Sequence, residues 1–225
     1  MLHLLDNIVW HSLTGMHAQF AAGTGGARRY ARGFSPIVGF ANNADPDLAA
    51  LRAYCSSDEH FYCDGWSGPV PAGWHLDAET TMYKMVWDAD LPEAVTAEGI
   101  VRLRPEHAPQ AFELATVAKP GPFGPRTPEL GEYFGLFEGD RLVAMAGERM
   151  AALPLREVSG VCTHPDHRGR GHARKLMLIL VRRQMLRGEV PFLHVMRDNR
   201  TARELYERMG FRLYRESVVR VIAPV

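Results

Sequence analysis

A strand-to-helix junction rich in glycine and arginine, residues 161–173, constrains the fold of this chain most strongly. An apolar strand pattern ends there in a proline-containing turn, and an apolar helix pattern follows. Glycines let a backbone approach a pyrophosphate closely, and the first N–H groups of a helix are unpaired donors at its positive end. The sequence therefore predicts an anion-binding cradle, with these candidate residues: Val161, Cys162, Thr163, Arg168, Gly169, Arg170, Gly171, His172 and Ala173.

Two common nucleotide-binding motifs do not fit this junction. A P-loop would end in Gly-Lys-Ser/Thr, and a dinucleotide fingerprint would carry a third glycine after Gly169 and Gly171. The pattern that fits is Arg/Gln-x-x-Gly-x-Gly/Ala, with its fixed positions at Arg168, Gly171 and Ala173. It closely resembles the pyrophosphate-binding motif of the GCN5-related N-acetyltransferase (GNAT) superfamily, which implies acetyl-CoA as cosubstrate.

A second motif lies on the next predicted helix, residues 200–209. It reads Asn-x-x-Ala-x-x-x-Tyr-x-x-x-Gly-Phe from Asn199 to Phe211, and it is similar to the FR47-like branch of that superfamily. As a helix, the pattern has an N-cap at Asn199, an apolar stripe and a C′ glycine at Gly210. The resemblance implies that Asn199 hydrogen-bonds the pantetheine arm and that Tyr206 protonates the departing thiolate. The alternative is a tyrosine that belongs only to the core.

The resemblance also implies a base for the acceptor amine, and three residues compete for that role. Glu157 lies eleven residues before the first arginine of the cradle, matching the glutamate base of histone-acetylating members. His194 occupies the strand position where ribosomal-protein acetyltransferases carry a glutamate, and Glu148 ends the preceding strand. We rank Glu157 first and His194 second, against the alternative that both are structural. A splayed strand around Gly160 is expected to direct the Val161 N–H at the thioester carbonyl.

The chain divides into two segments, residues 1–98 and residues 99–225. In the second, the predicted order β-α-β-β-β-α-β-α-β implies an α/β fold, a mixed central sheet with helices on both faces, as in GNAT proteins. In the first, we predict a helix over residues 7–22, a helix opened by Asp45 and Pro46, and three strands at residues 36–41, 60–63 and 80–87. This segment has no cradle and is similar to the partial GNAT-like half of FR47-like proteins. We expect it to pack beside a single CoA site and to shape the acceptor pocket.

Charge and cysteine content limit the partners and the compartment. Lys+Arg and Asp+Glu balance at 26 each, so we expect neither a nucleic-acid nor a membrane partner. Between residues 156 and 187, however, eight Lys or Arg face two Asp or Glu, which gives the cradle a positive surrounding. Three cysteines without zinc-finger spacing predict neither a disulfide framework nor a metal site. With no signal peptide, a cytoplasmic location is expected, and the resemblance makes a homodimer one expectation.

The sequence therefore predicts an N-acetyltransferase that moves an acetyl group from acetyl-CoA to a primary amine by direct attack in a ternary complex. Two alternatives stay open. One is acyl-CoA-dependent N-acylation of an amino acid, which the size of the pocket beside the loop at residues 119–128 would decide. The other is a CoA-binding sensor module without turnover, although such a module is expected to lack Tyr206 and the candidate bases.

Overall fold

The computed structural model describes residues 1–225, which form one sheet of eleven strands with five α-helices. The strands are β1 (Ala21–Ala22), β2 (Ala27–Tyr30), β3 (Ile37–Phe40), β4 (Phe61–Asp64), β5 (Trp74–Trp87), β6 (Ile100–Arg102), β7 (Tyr133–Glu138), β8 (Arg141–Ala152), β9 (Leu155–Thr163), β10 (Val190–Met196) and β11 (Phe211–Pro224). The helices are α1 (Ile8–Thr14), α2 (Leu48–Arg52), α3 (Ala108–Ala118), α4 (His172–Leu186) and α5 (Arg200–Met209). None of them is both long enough and apolar enough to cross a membrane.

The order of the strands in the sheet joins the two segments of the chain. In space they follow β1-β2-β3-β4-β11-β5-β10-β9-β8-β7-β6. β3 pairs in parallel with β4, and β9 with β10, whereas the other neighbours are antiparallel. β5, the last strand of residues 1–98, lies between β10 and β11 and pairs with both. The predicted mixed sheet is present, and both segments contribute to its centre.

Helices cover both faces of this sheet, as the sequence predicts. Successive residues of β10 point to opposite faces. On one face Leu193 and Val195 join a core cluster with Leu180 of α4. On the other, Phe192 packs in a cluster with Ile8 of α1. Burial on both sides explains why β10 reads as a nearly continuous apolar run interrupted by one histidine.

The helices of the first segment begin and end at other residues than predicted. The helix expected over residues 7–22 is shorter, because Gly15 follows α1 as its C-cap with a backbone conformation (φ −113°, ψ −112°) outside the helical region. α2 is capped by Asp47, whose carboxylate accepts a hydrogen bond from the Ala50 N–H (2.9 Å), and not by Asp45. Two nearby acids before a short apolar stripe are equally good caps by sequence.

The strands β1 and β2 were not predicted. β1 has only two residues, and β2 contains Arg28 and Arg29, which read as solvent-exposed residues in the sequence. Arg29 is nevertheless 4% exposed, because Glu59 accepts hydrogen bonds from its guanidinium. A paired charge can be buried in a strand, and only the tertiary structure supplies the partner.

The second segment agrees closely with its prediction. α5 runs from Arg200 to Met209, and the Asn199 side chain caps it by accepting a hydrogen bond from the Ala202 N–H (3.2 Å). Gly210 ends the helix in the left-handed conformation (φ 118°). These local signals confirm the helix that carries Tyr206.

Candidate active site

The sheet opens at the point where β9 and β10 stop pairing. Only the first three residues of each strand are paired, from Val190–Leu155 to Phe192–Glu157. Beyond them, β10 continues along β5 and β9 continues along β8. The two parallel strands therefore diverge and leave a gap in the middle of the sheet.

A bulge in β9 accompanies this separation, as expected at Gly160. The pairing of β9 with β8 shifts register between Met145 and Gly147, opposite the residues from Ser159 to Cys162. Gly160 itself has φ +61°, a conformation that glycine adopts without strain. A bulge re-aims the backbone of the residue that follows it, which here is Val161.

A cavity of about 360 Å³ occupies the gap between the strands. Its lining includes four residues that the sequence identified as site residues: Val161, His194, Asn199 and Tyr206. His194 and its neighbour Val195 both line the cavity although they point to opposite faces of the sheet. The cavity therefore connects the two faces through the opening.

The cradle follows directly from β9 at the start of α4. Gly169 and Gly171 both have left-handed backbones (φ +78° and +77°), and Gly171 is the N-cap of the helix. The first helical hydrogen bond runs from the Lys175 N–H to the Gly171 carbonyl (3.1 Å), so the preceding amides form the unpaired end of the helix. Arg168 and Arg170 are exposed beside it. An exposed helix N-terminus with two flanking arginines is chemically suited to a pyrophosphate.

Cys162 contributes to this region through its backbone and not through its thiol. Its side chain is buried in a cluster with Ala111, Leu114 and Met145, on the α3 side of the sheet. Burial raises the pKa of the thiol to about 12. The thiol is therefore a core group without nucleophilic character at neutral pH.

Glu157 lies behind the cavity in a fully paired network. Its Oε1 accepts hydrogen bonds from Arg149 Nη2 (2.7 Å) and His194 Nδ1 (2.8 Å), and its Oε2 accepts from Arg149 Nε (3.0 Å) and the Met150 N–H (3.1 Å). Burial alone would raise the pKa of this carboxyl group, but the charge of Arg149 and the hydrogen bonds from both side chains hold it well below its usual value. Glu157 is 1% exposed and does not line the cavity.

Arg149 and His194 of this network both line the cavity, and of the two only the His194 ring can accept a proton. Because an ionised carboxylate can only accept, Nδ1 carries the proton that bonds to Glu157. In the neutral ring Nε2 then has a free lone pair. This atom is buried and has no hydrogen-bond partner.

Tyr206 lies across the same cavity on α5. Its ring packs against Phe211 in the core, with the ring centroids 6.1 Å apart. Burial raises the pKa of its hydroxyl to about 12, so the group is protonated at neutral pH. Core packing and exposure of the hydroxyl to the cavity therefore occur together in this residue.

Glu148, the third candidate for the base, has a different environment. It accepts hydrogen bonds from Gln184 (3.1 Å) and Arg187 (2.5 Å), and it is 3% exposed. These contacts tie β8 to α4 on the face away from His194. Among the described residues, which are the whole chain, no three His, Cys, Asp or Glu side chains form a metal-binding group.

The sequence predicts that the first segment shapes the pocket, but it does not identify which residues of that segment do so. Five residues before position 99 line the cavity: Val9, Ile37, Tyr62, Asp64 and Met82. Sequence reasoning also missed Arg149, whose only sequence signal is a charged residue inside an otherwise apolar strand. The N-terminal residues carry no local signal, because long-range strand pairing brings them to the site.

The loop at residues 119–130 is held against the first segment. The Ser35 hydroxyl donates to the Pro122 carbonyl (2.9 Å), and the Arg126 N–H donates to the Gly33 carbonyl (2.8 Å). A Cβ at Gly124 would lie 2.3 Å from the same Gly33 oxygen, so only glycine permits this close approach. The start of the loop, from Lys119 to Pro122, lines the cavity. The first segment therefore fixes one wall of the site.

Comparison with known proteins agrees with this geometry. A family model for FR47-like proteins matches residues 133–221. A GNAT-family protein from Novosphingobium aromaticivorans DSM 12444 is 34% identical, with 99% of each chain covered and a TM-score of 0.90. Two structures share the fold at lower identity: a GCN5-related N-acetyltransferase-like protein from Streptococcus suis 89/1591 (15%, 97% and 92% covered, TM-score 0.60) and a GCN5-related N-acetyltransferase from Kribbella flavida (17%, 96% and 94%, TM-score 0.59). No curated protein matches significantly.

A mixed sheet whose parallel strands separate beside a glycine-lined helix N-terminus defines a class of acyltransferase that uses acyl-CoA. The match to the Novosphingobium protein extends over nearly the whole chain and exceeds what a shared fold alone requires. The chain belongs to the GNAT family, and residues 133–221 of its second segment match the FR47-like model. Membership implies acyl transfer from an acyl-CoA.

Proposed function

We propose that the protein transfers an acetyl group from acetyl-CoA to a primary amine by direct attack in a ternary complex. The observation that supports this most directly is His194 Nε2, a buried acceptor without a partner in a cavity that Tyr206 also lines. Buried polar atoms are almost always hydrogen-bonded, so an unpaired one calls for a partner in the functional state. An attacking amine supplies the N–H that this atom lacks.

We infer that His194 is the base and that Glu157 is its positioning residue, which reverses the order that the sequence favoured. A base must reach the proton that it removes, and it must have a lone pair available. Both oxygens of Glu157 already accept two hydrogen bonds each, and its low pKa makes it a weak base. By holding Nδ1–H, Glu157 keeps the lone pair of His194 on Nε2.

The remaining residues divide the reaction between them. Acetyl-CoA supplies the activated acyl group: a C–N bond forms to the amine and the C–S bond breaks. His194 Nε2 takes the proton of the amine, and the Tyr206 hydroxyl gives its proton to the sulfur. The Val161 N–H is the candidate donor to the carbonyl oxygen. The helix end at Gly171 and its arginines hold the pyrophosphate, and Asn199 holds the pantetheine arm while it caps α5.

The test begins with calorimetric titration of the protein with acetyl-CoA, free CoA and octanoyl-CoA. Thiol release with a panel of primary amines follows, on the unchanged protein and on His194→Gln. We expect acetyl-CoA binding in both proteins and thiol release that depends on the amine only in the unchanged one. Binding without release for any amine would favour the sensor module, and tighter binding of octanoyl-CoA would favour a longer acyl donor.

A further inference from the structure

The cavity continues beyond His194 to a wall that the motifs of the second segment do not form. This wall combines residues of the first segment with one residue of β11: Val9, Ile37, Tyr62, Asp64, Met82 and Val219. Five of these six side chains are aliphatic, thioether or aromatic. Burial of an apolar group against them is favourable, whereas burial of a charged group requires a partner.

Asp64, the acidic member of this wall, already has a counter-ion within the protein. Its carboxylate lies 2.6 Å from Lys84 Nζ, and it accepts a hydrogen bond from the Ser217 hydroxyl (2.7 Å). Lys84 is 1% exposed and also donates to the Leu5 carbonyl (2.6 Å). This acid is therefore neutralised from within the protein and does not offer a free site for an ammonium group.

Each buried charged side chain around His194 has a counter-ion of opposite charge. Lys84 stands opposite His194 in the pairing of β5 with β10. It is matched by Asp64, as Arg149 is matched by Glu157. No unpaired carboxylate remains to accept a second positive charge of a substrate. A polyamine or a dibasic acceptor would have to bury a charge without a counter-ion, which is costly.

The two ends of the cavity lie on different faces of the sheet. Tyr206 and Ala202 of α5 line it on the face of Val195, next to the cradle at the start of α4. His194 lies on the face of Phe192, where α1 packs and where Val9 and Ile37 line the cavity. The donor thus approaches from the side of α4 and α5, and the wall on the α1 side is left for the acceptor.

We propose that the acceptor is a small primary monoamine with an apolar body, which lies against Val9, Ile37, Met82 and Val219 while its nitrogen contacts His194 Nε2. This inference rests on the proposed function, since it assigns the far side of the same cavity. The cavity volume of about 360 Å³ is at the lower end of the range for small-molecule sites.

The test compares matched amines with acetyl-CoA as donor. Ethylamine, butylamine and hexylamine form a series, and 1,4-diaminobutane and 1,6-diaminohexane add one charge to the two longer members. We expect kcat/KM to rise about threefold to fourfold per methylene until the wall is filled. We expect each diamine to be at least tenfold poorer than its monoamine. A diamine or a lysine-containing peptide that equals hexylamine would overturn the assignment.

A variant then locates the effect in the cavity. Val219→Phe fills the far wall and should raise KM for hexylamine at least tenfold, while ethylamine and acetyl-CoA keep theirs. Leu213→Phe, on an exposed part of the same strand, is the matched control. If Val219→Phe raises the KM for octanoyl-CoA and leaves the KM for hexylamine unchanged, the acyl chain of the donor lies against this wall and the proposal is refuted. If Val219→Phe does not fold, the amine series on the unchanged protein decides. The absence of thiol release with every amine tested would refute the proposed function itself.

Discussion

Replacing Glu157 with glutamine tests the network behind the site most directly. The carboxylate accepts four hydrogen bonds, two from Arg149 and one each from Met150 and His194. Glutamine keeps the shape but has no charge, and its NH₂ group must face a donor on one side. The Arg149 side chain, 9% exposed, is left without its counter-ion. Breaking a buried ion pair from one side costs about 3–5 kcal/mol of unfolding free energy.

The same substitution should also lower turnover. Without the carboxylate, the proton of His194 is free to move to Nε2, which removes the lone pair from the cavity. General base catalysis contributes roughly 10²- to 10⁴-fold, so we expect kcat to fall on the order of 10²-fold or more. The KM for acetyl-CoA should stay the same, because Glu157 lies away from the cradle. Thiol release under saturating acetyl-CoA measures both quantities.

The effect of pH on stability has a defined sign. The pKa of Glu157 is lower in the folded protein than its reference value of 4.5. Its contribution is therefore complete above about pH 4.5 and is lost as the pH falls towards the folded value. The difference in unfolding free energy between the unchanged protein and Glu157→Gln should be largest at pH 7 and should narrow below pH 4.5. Urea denaturation of both proteins at pH 7 and at a pH below 4.5 measures this difference in unfolding free energy.

Glu189→Gln is the matched control for these effects. Glu189 pairs with Arg156 (2.8 Å), and its side chain is 7% exposed, but it does not line the cavity. We expect this variant to lose stability and to keep kcat. If Glu157→Gln also keeps kcat after correction for the folded fraction, Glu157 is only structural and its positioning role is wrong.

Three further substitutions or reactions test separate parts of the site. Gly171→Val should weaken acetyl-CoA binding about tenfold, because a β-branched residue disfavours the left-handed backbone (φ +77°) by about 1–2 kcal/mol and shifts the free loop away from the conformation that presents its amides to the pyrophosphate. Gly188→Val has the same strain (φ +74°) at the far end of α4 and should leave the calorimetric affinity unchanged. Tyr206→Phe should lower kcat on the order of 10²-fold and preserve acetyl-CoA affinity. An unchanged kcat would mean that Tyr206 has only a structural role in the core. A thiol reagent should modify the half-buried Cys55 in the native protein before Cys162, whose modification should require unfolding; equal rates would contradict the burial of Cys162.

Local signals explain why the second segment could be predicted from the sequence. The cap at Asn199 and the left-handed Gly210 bracket α5 within twelve residues, and the glycines of the cradle mark the start of α4. β5 shows the opposite case. Its first half, residues 74–79, is mostly exposed, and the sequence predicts only residues 80–87 as a strand. Its full length comes from pairing with β11, which is more than a hundred residues away along the chain.

The roles of Glu157 and His194 could not be separated by sequence for a similar reason. Spacing identifies both as polar residues on the strands that precede and follow the cradle and its helix. It does not reveal that Arg149, on the preceding strand, takes the oxygens of the carboxylate. A carboxylate with two donors on each oxygen and an imidazole with a free nitrogen have different chemistry, although either could be a base by residue type.

β5 brings residues of the first segment directly beside the strand that carries His194. The family model matches residues 133–221, which include the cradle, His194 and Tyr206. β5 places Met82 and Lys84 directly opposite Met196 and His194. Four further lining residues come from the strands and the helix that precede β5 in the chain. The first segment therefore supplies most of the cavity wall on the α1 side. Under the proposed assignment of that wall to the acceptor, substitutions there should alter the amine that binds without moving His194 or Tyr206.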